Sequence, residues 1–250
     1  MNISDNKNTH YITPNWPAPK RIKSFTSLRT GGHSIAPYAN FNLSHYVNDD
    51  PRHVQLNRDK VMQDWVLTSN PKWLNQTHST RAINCDEPIT SFEADACFTT
   101  KPNQPCAVLT ADCLPLLVCN KSGTEVAAIH AGWRGLISGI IKNTVESLQS
   151  PPNELLVWLG PAIGPNAFEI DTETANQFIT ADAEYTKALQ PKLNKYHANL
   201  YTMARIALHK LGVKHIFGGE YCTFTNHESF FSYRREQTTG RMVSLIVISN

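Results

Sequence analysis

The stretch AVLTADCLPLLVCNKSGTEVAAIHAGWRG, residues 107–135, decides the class of fold. It contains three short apolar runs, 107–113, 115–119 and 125–131, and a fourth run follows at 154–160. Runs of this length that end at turn-forming residues are typical of strands buried on both faces. We therefore expect four buried strands in the middle of the chain.

Helical periodicity begins directly after the third run. In WRGLISGIIKNTVESLQ, residues 133–149, apolar side chains recur every three or four positions, and two prolines follow at 151 and 152. This pattern predicts one amphipathic helix that ends before the prolines. Further helices are predicted at 57–65, near 173–189 and at 199–211.

Two capping residues are predicted with these helices, namely Asn57 at the start of the first and Gly212 at the end of the last. Strands and helices are intermixed along the chain, and some neighbouring strands have connections too short for parallel crossovers. We therefore expect one α/β domain over residues 1–250, built on mixed sheets.

Composition and charge are those of an ordinary globular protein. Of the 250 residues, 41% are hydrophobic and 18% are charged, so the chain can bury a substantial core. Lys and Arg number 23 against 21 Asp and Glu, and no basic run is longer than the pair Arg234 and Arg235. A nucleic acid or an anionic membrane requires a concentrated basic patch, so neither is expected as the main partner.

The N-terminal sequence is polar and lacks the apolar segment of a signal peptide, and no stretch is long enough for a membrane span. We therefore expect a cytoplasmic protein whose cysteines are thiols. No two cysteines are spaced as a C-x2-C pair. The five cysteines other than Cys113 are interpreted as packing residues: Cys85, Cys97, Cys106, Cys119 and Cys222. A monomer is expected, because no predicted helix shows a spare apolar face.

Three residues at expected ends of strands have the chemistry of metal ligands. They are His78 in QTHST, Cys113 in TADCLP and His130 in IHAGWRG. Two imidazoles and a thiolate are one ligand short of a tetrahedron, and catalytic zinc sites keep that position open. The spacing H-x34-C-x16-H is too wide for a local metal motif, so this interpretation requires the fold to bring the three together. Singly, Cys113 is also explained as a small buried residue and His78 as a loop histidine.

Other candidate groups flank these residues. Asp112 precedes Cys113 and would point to the opposite face of a strand, so it can assist the thiol only if the backbone turns there. Arg134, at the start of a predicted helix, is explained equally by an anion pocket and by a surface position. The segment FFSYRRE, 230–236, can stack a planar ring and bind phosphate, although aromatic packing with solvated arginines is commoner.

Several motifs together resemble the YfiH/YlmD family, also called the laccase-domain or multicopper polyphenol oxidase-like family. They include WLNQTHS, AVLTADCLPLLV, VAAIHAGWRGL, WLGPAIGP, GGEYCTF and FFSYRRE, and the similarity extends over nearly the whole chain. TADCLP combined with HAGWRG is its most specific part. The chain departs from the family pattern in detail, with KYH at 195–197 where many relatives have a GKW-like run.

The resemblance implies a metal site at His78, Cys113 and His130 that holds Zn²⁺, with Cu²⁺ claimed for an oxidase activity. It implies a layered α/β sandwich with mixed sheets, similar to the cysteine hydrolase fold of cytotoxic-necrotizing-factor-like toxins. It also implies a purine nucleoside enzyme that phosphorolyses adenosine, inosine or methylthioadenosine and deaminates adenosine hydrolytically. The expected small-molecule partners are therefore a purine nucleoside and phosphate.

For this chemistry we assign catalytic roles to Cys113, His130 and Asp112. Zinc lowers the pKa of bound water to about 7, and either Asp112 or Glu169 can then move the proton during attack on adenine C6. Phosphorolysis requires a phosphate site and a surface for the purine. The candidates for phosphate are Arg29, Arg134 and Arg235, and those for stacking are Phe230, Phe231 and Tyr233.

Three alternatives stay open at this stage. Without a metal, Cys113 as nucleophile and His130 as base can hydrolyse an amide, which fits a role in editing a cell-wall precursor. Copper-dependent oxidation of phenols is expected only as a side activity, because the chain has no H-x-H motif and three ligands cannot assemble a trinuclear copper centre. A binding module without turnover is the third alternative.

Overall fold

The computed structural model describes residues 9–250. In chain order the strands are β1 (Tyr11–Ile12), β2 (Ile22–Ser27), β3 (Ala82–Asn84), β4 (Ala96–Thr99), β5 (Cys106–Thr110), β6 (Leu114–Asn120), β7 (Val126–Ala131), β8 (Leu155–Leu159), β9 (Glu169–Ile170), β10 (Leu189–Lys192), β11 (Lys195–Ala198), β12 (His215–Gly218) and β13 (Met242–Ile248). The α-helices are α1 (Pro51–Asp64), α2 (Trp133–Ser138), α3 (Ile140–Ser147), α4 (Thr172–Ala181), α5 (Leu200–Lys210) and α6 (Tyr233–Glu236).

The strands form three sheets. The largest has six strands in the order β12-β8-β6-β7-β4-β3 and is mixed, because its two outer pairs are parallel and its inner pairs antiparallel. A four-stranded antiparallel sheet has the order β1-β2-β13-β5. A small antiparallel sheet has the order β10-β11-β9. The four apolar runs are the strands β5 to β8, as predicted.

The two larger sheets pack face to face with helices outside them. Side chains of a strand alternate between faces, and on β6 Leu116 packs with the core that contains α3 and α5, whereas Leu117 packs against the four-stranded sheet. On β13, Ile246 faces the large sheet, and Leu245 lies in the core that contains Val61 of α1. The predicted layered α/β sandwich with mixed sheets is therefore confirmed.

The prediction of one continuous helix at 133–149 is wrong. The structure has two helices, α2 and α3, separated at Gly139, whose φ of 101° is left-handed. Glycine reaches this conformation without the steric cost that a Cβ imposes. The apolar periodicity continued through the break and therefore concealed it.

Two other helices also differ from their predicted extents. The helix predicted near 173–189 ends at Ala181, because Asp182 is extended and caps a short 3-10 helix at Ala183–Ala188. The helix predicted at 199–211 is confirmed as α5, but its C-cap is Leu211, and Gly212 follows with a φ of 89°. The departing segment KYH lies in β11 of the small sheet.

The first helix begins earlier than predicted, at Pro51, and its N-cap is Asp50 rather than Asn57. Asn57 lies inside α1 and is fully buried. Its Oδ1 accepts a hydrogen bond of 2.7 Å from the backbone N–H of His33, and its Nδ2 donates to the carbonyl of Asn42 at 2.7 Å. Asn57 thus fixes the loop that precedes the helix instead of starting the helix.

Other predictions of the sequence are not decided by the fold. Among residues 9–250, no helix has both the length and the apolar character needed to cross a membrane. The single domain over 1–250, the cytoplasmic location and the monomeric state stay predictions. The polar residues 1–8, on which part of the location prediction rests, lie outside the described residues.

Replacing Asn57 with Ala should destabilise the protein by about 1–3 kcal/mol, because buried backbone groups of the 33–42 loop lose their partner. Urea unfolding of the purified variant measures this change. Gln55→Ala is the matched control, since Gln55 is exposed on the same helix, and it should change the free energy of unfolding by less than about 0.5 kcal/mol. Equal effects of the two substitutions would contradict the role given to Asn57.

Candidate metal centre

The fold brings His78, Cys113 and His130 into one group whose ligand atoms all lie within 4.8 Å of one another. The Sγ atom of Cys113 is 3.7 Å from Nε2 of His78, and the two imidazole ring centroids are 4.9 Å apart. This is the convergence that the metal-site interpretation requires. Their function as ligands stays a prediction, and the geometry now supports it.

Strand pairing explains how distant residues meet here. The antiparallel pair β6 and β7 aligns Leu114 with Ala131 and Pro115 with His130, so β6 begins where β7 ends. Cys113 therefore precedes β6 beside His130. His78 comes from the loop before β3 and has a left-handed φ of 61°. The group thus lies at the rim where the two larger sheets meet.

A buried carboxylate that the sequence analysis missed holds both histidines in place. Asp95 has no exposed surface, and its Oδ1 accepts hydrogen bonds from His130 Nδ1 at 2.7 Å and from the backbone N–H of His78 at 3.0 Å. Its Oδ2 accepts from the backbone N–H and the hydroxyl of Ser79, at 2.6 and 2.7 Å. The only signal in the sequence is an acidic residue between alanines directly before a strand.

The bond to Asp95 determines which nitrogen of His130 is available. Because Nδ1 is engaged, Nε2 is left for Cys113 or an ion, and His78 likewise presents its Nε2 to the thiol. Carboxylates that bind the far nitrogen of a ligating histidine orient the ring and raise its basicity. Burial would raise the pKa of Asp95, but hydrogen bonds from His130 and Ser79 outweigh burial and lower it.

Gly132 lets the ligands approach closely. A Cβ at this position would lie 2.5 Å from Cδ2 of His78 and 3.1 Å from Sγ of Cys113. These contacts are too short for a side chain, so any substitution there would displace the imidazole. Small residues flank His130 in AAIHAGWRG, and Gly132 among them permits this close approach.

The protein environment favours the thiolate form of Cys113. Burial works to raise the pKa of Cys113, but the charge of His130 and hydrogen bonds from both histidines outweigh it and lower that pKa to about 6. Burial works to lower the pKa of His130, but the charge of Cys113 and the bond to Asp95 raise it to about 9. A thiolate is the form required both of a metal ligand and of a nucleophile.

The site is open on one side. His130 is buried, Cys113 is half-buried and His78 is exposed, so solvent approaches from the side of His78. Zinc ligated by three protein side chains with an accessible fourth position is typical of catalytic rather than structural sites. Two imidazoles and one thiolate fit Zn²⁺, and the same donors also bind copper.

The carboxylate of Asp112 makes other contacts than those expected of a group that assists Cys113. The backbone does turn there, with a φ of 86°, as the sequence argument required. Its carboxylate, however, accepts hydrogen bonds from the hydroxyls of Thr223 and Ser232 and from the backbone N–H of Arg234. Asp112 therefore anchors the 223–234 segment beside the site. Its role in proton transfer stays a prediction.

Glu169, the other predicted proton carrier, lies on β9 in the small sheet. Its carboxylate is exposed and bonds Lys195 at 2.5 Å. The side-chain hydrogen bond from Lys195 lowers the pKa of Glu169. No hydrogen bond joins Glu169 to the three candidate ligands in the described structure, so its catalytic role also stays a prediction.

Two of the three arginines predicted to bind phosphate are engaged elsewhere. The guanidinium of Arg235 donates to the carbonyls of Thr223, Phe224 and Phe230. That of Arg29 bonds Glu236 at 2.7 Å and lies over the ring of Phe231. These donors stabilise the loop, and the phosphate role of both arginines stays a prediction.

Arg134 fares differently, because its guanidinium is exposed and stacks on Trp133 at 4.2 Å. Within the described part of the chain it has no hydrogen-bond partner, so it is free to meet an anion. Arg134 is the second residue of α2, which has only six residues. The anion site predicted at the N-terminus of a long helix is therefore not supported. A phosphate role for the side chain itself stays a prediction.

The aromatic candidates also divide by burial. Phe230 and Phe231 are 1% and 0% exposed, which contradicts their predicted stacking on a purine because neither ring has an accessible face. Tyr233 is 56% exposed at the start of α6 and remains available. The sequence FFSYRRE has no alternation of apolar and charged residues that could reveal which rings face the core.

Arg241 is a charged group near the site that the sequence analysis missed. Burial lowers its pKa, and the charges of Cys113 and Asp112 oppose that effect. Its Nη1 donates to the carbonyls of Thr239 and Gly240, and its guanidinium lies 5.9 Å from the ring of Tyr233. Nη2 and Nε have no partner in residues 9–250. Its place directly before β13, in the TGR turn, was the available signal.

Comparison with known proteins agrees with the resemblance. Residues 23–249 match the profile of a family described as multi-copper polyphenol oxidoreductase laccase. The chain is 47% identical over 236 residues to a protein of Escherichia coli (strain K12) named purine nucleoside phosphorylase YfiH, covering 94% of this chain and 97% of that protein. A protein of Haemophilus influenzae named purine nucleoside phosphorylase is 47% identical over 238 residues, covering 94% and 98%.

Solved structures give the same result. A Neisseria meningitidis protein superposes with a TM-score of 0.93 at 41% identity, covering 97% of this chain and 100% of that one. YlmD from Geobacillus stearothermophilus superposes with a TM-score of 0.87 at 25% identity, covering 98% of both chains. The predicted resemblance to the YfiH/YlmD family is therefore confirmed.

Replacing Asp95 with Asn should weaken zinc binding by roughly 10- to 100-fold, because His130 loses the carboxylate that fixes its tautomer and ring orientation. Competition with a chromophoric zinc chelator measures the affinity. Glu125→Gln is the matched control, since Glu125 is a buried carboxylate that also accepts two backbone N–H bonds, from Gln149 and Ser150. Equal zinc affinity of the two variants would contradict the role of Asp95.

Proposed function

The chain belongs to the multi-copper polyphenol oxidoreductase laccase family, and we propose that it is a zinc-dependent enzyme acting on purine nucleosides. The observation that carries this proposal is the convergence of His78, Cys113 and His130 at an open rim. Relatives that cover nearly the whole chain are named purine nucleoside phosphorylases, which supports the choice of substrate class.

His78, Cys113 and His130 would hold the ion, with the Nε2 atoms of the histidines and the sulfur of Cys113 as donors. Zn²⁺ bound there supplies a Lewis acid at the open face of the site. Asp95 keeps His130 in the tautomer that presents Nε2. Its hydrogen bonds to the 77–79 backbone keep His78 beside the other two ligands.

The proposed main reaction is phosphorolysis of adenosine, inosine or methylthioadenosine. A phosphate oxygen forms a bond to C1′ of the sugar, the bond from C1′ to the base breaks, and the base leaves with a proton. For the phosphate we assign two cations: Arg241, whose guanidinium feels the charge of Cys113, and the exposed Arg134. Tyr233 offers an exposed ring for the purine.

Hydrolytic deamination of adenosine belongs to the same proposal. Water replaces the C6 amino group, ammonia leaves, and inosine is formed. Copper-dependent oxidation of phenols is kept only as a side activity, because the sequence lacks the H-x-H motifs of a trinuclear copper centre.

A second candidate function rests on the arrangement of Cys113, His130 and Asp95. The thiol lies beside an imidazole whose far nitrogen bonds a buried carboxylate. A nucleophile, a base and a group that orients the base are the parts of a metal-independent hydrolase. Such an enzyme would cleave an amide in a cell-wall precursor and would not need His78 as a metal ligand.

One experiment tests the main proposal. Protein of known metal content is incubated with adenosine, with and without phosphate, and the products are identified by mass. Adenine and ribose 1-phosphate formed only with phosphate indicate phosphorolysis, and inosine indicates deamination. Absence of every product under both conditions would overturn the nucleoside proposal.

Replacing His78 with Ala separates the two candidate functions. If the protein is a zinc enzyme, this substitution removes a metal ligand. Its kcat/KM for adenosine should then decrease by more than roughly 100-fold, the loss expected when a residue that only hydrogen-bonds a ligand is replaced. His209→Ala, an exposed histidine on α5, should leave kcat/KM unchanged. Full activity of His78→Ala, or of wild-type protein stripped of metal by a chelator, would instead favour the thiol hydrolase.

Replacing Arg241 with Gln should raise KM for phosphate by about tenfold or more, equivalent to about 1.4 kcal/mol, with a much smaller change in KM for nucleoside. Tyr233→Ala should show the reverse pattern. Arg134→Gln tests the exposed arginine in the same assay. If neither arginine substitution changes the dependence of rate on phosphate, these residues do not bind it.

A further inference from the structure

A second group of potential ligands lies outside the candidate active site. The sulfur atoms of Cys85, Cys97 and Cys106 all lie within 4.8 Å of one another, and all three residues are buried. Each was interpreted from the sequence as a separate packing residue. The fold instead gathers them into one cluster, which the proposed function does not use.

The cluster joins the two larger sheets. Cys85 directly follows β3, the edge strand of the six-stranded sheet, and Cys97 lies on β4 beside it. Cys106 is the first residue of β5 in the four-stranded sheet. All three belong to the apolar core between the sheets, together with Leu74, Val108 and Ile246. Cys85 is 7% exposed, so it is the member of the cluster nearest to solvent.

The number and kind of donors favour one class of ion. Soft thiolates select monovalent copper, zinc and iron–sulfur clusters. Structural zinc and iron–sulfur clusters take four protein ligands as a rule. In residues 9–250 no fourth His, Cys, Asp or Glu joins these three sulfurs. Monovalent copper is stable with three sulfur ligands and needs no water, which suits an apolar, buried position.

We propose that Cys85, Cys97 and Cys106 bind one Cu(I) ion at the junction of the two sheets. Three copper–sulfur bonds form as the three S–H bonds break, and the three protons pass to solvent. No electron is transferred, because the copper arrives in its reduced form. The site is distinct from the group of His78, Cys113 and His130 and does not depend on the proposed nucleoside chemistry.

Copper binding is tested in the His78→Ala background, where the first site has lost a ligand. The protein is reduced, loaded with Cu(I) under nitrogen and dialysed against a Cu(I) chelator. One equivalent of copper should remain, and X-ray absorption at the copper edge should show sulfur ligands only. Loss of all copper to the chelator, or nitrogen in the first coordination shell, would overturn the proposal.

Variants locate the ion. Adding Cys97→Ala to the His78→Ala protein should lower the Cu(I) affinity by more than about 100-fold. That is more than the loss expected when a residue that only hydrogen-bonds a metal ligand is replaced. Cys119→Ala is the matched control, because Cys119 is a fully buried cysteine of the same core that lies outside the cluster. Copper retained equally in both variants would contradict the assignment. If Cys97→Ala fails to fold, the X-ray absorption spectrum of the His78→Ala protein still tests the proposal, because it shows whether sulfur alone ligates the copper.

Discussion

The carboxylate of Asp95 is the interaction on which the candidate active site depends. It is fully buried, and it joins the imidazole of His130 on β7 to the backbone of the loop that carries His78. A buried charge is costly unless hydrogen bonds satisfy it, and here side-chain and backbone donors surround both oxygens. Because the same group orients one histidine and positions the other, both the metal-bound and the metal-free chemistry rely on it.

The sandwich supplies the rest of the geometry. Cys113 precedes β6 and His130 lies near the end of β7, so the antiparallel register of two central strands fixes their separation. Sites supported by strands are held more precisely than sites on loops alone. Tyr233 lies in the 223–234 segment that Asp112 anchors, and the guanidinium of Arg241 lies 5.9 Å from its ring. Cys113 and His130 are therefore held by the strands, and the residues of the neighbouring loops are candidates for determining the substrate.

The buried strands could be predicted from sequence because apolar runs report burial directly, and ligand chemistry singled out His78, Cys113 and His130. The break at Gly139 could not, since one left-handed residue leaves the apolar periodicity intact. Burial of Phe230 and the engagement of Arg235 depend on partners distant in the chain. Asp95 was missed for the same reason: a lone acidic residue shows its use only when its partners are known.

The central claim is that two imidazoles and one thiolate hold a catalytic ion. X-ray absorption at the zinc edge of the purified protein tests it most directly. The account predicts one zinc per chain with one sulfur and two imidazole nitrogens, and with a lighter ligand completing the shell. A first shell without sulfur, or one made of sulfur alone, would contradict it.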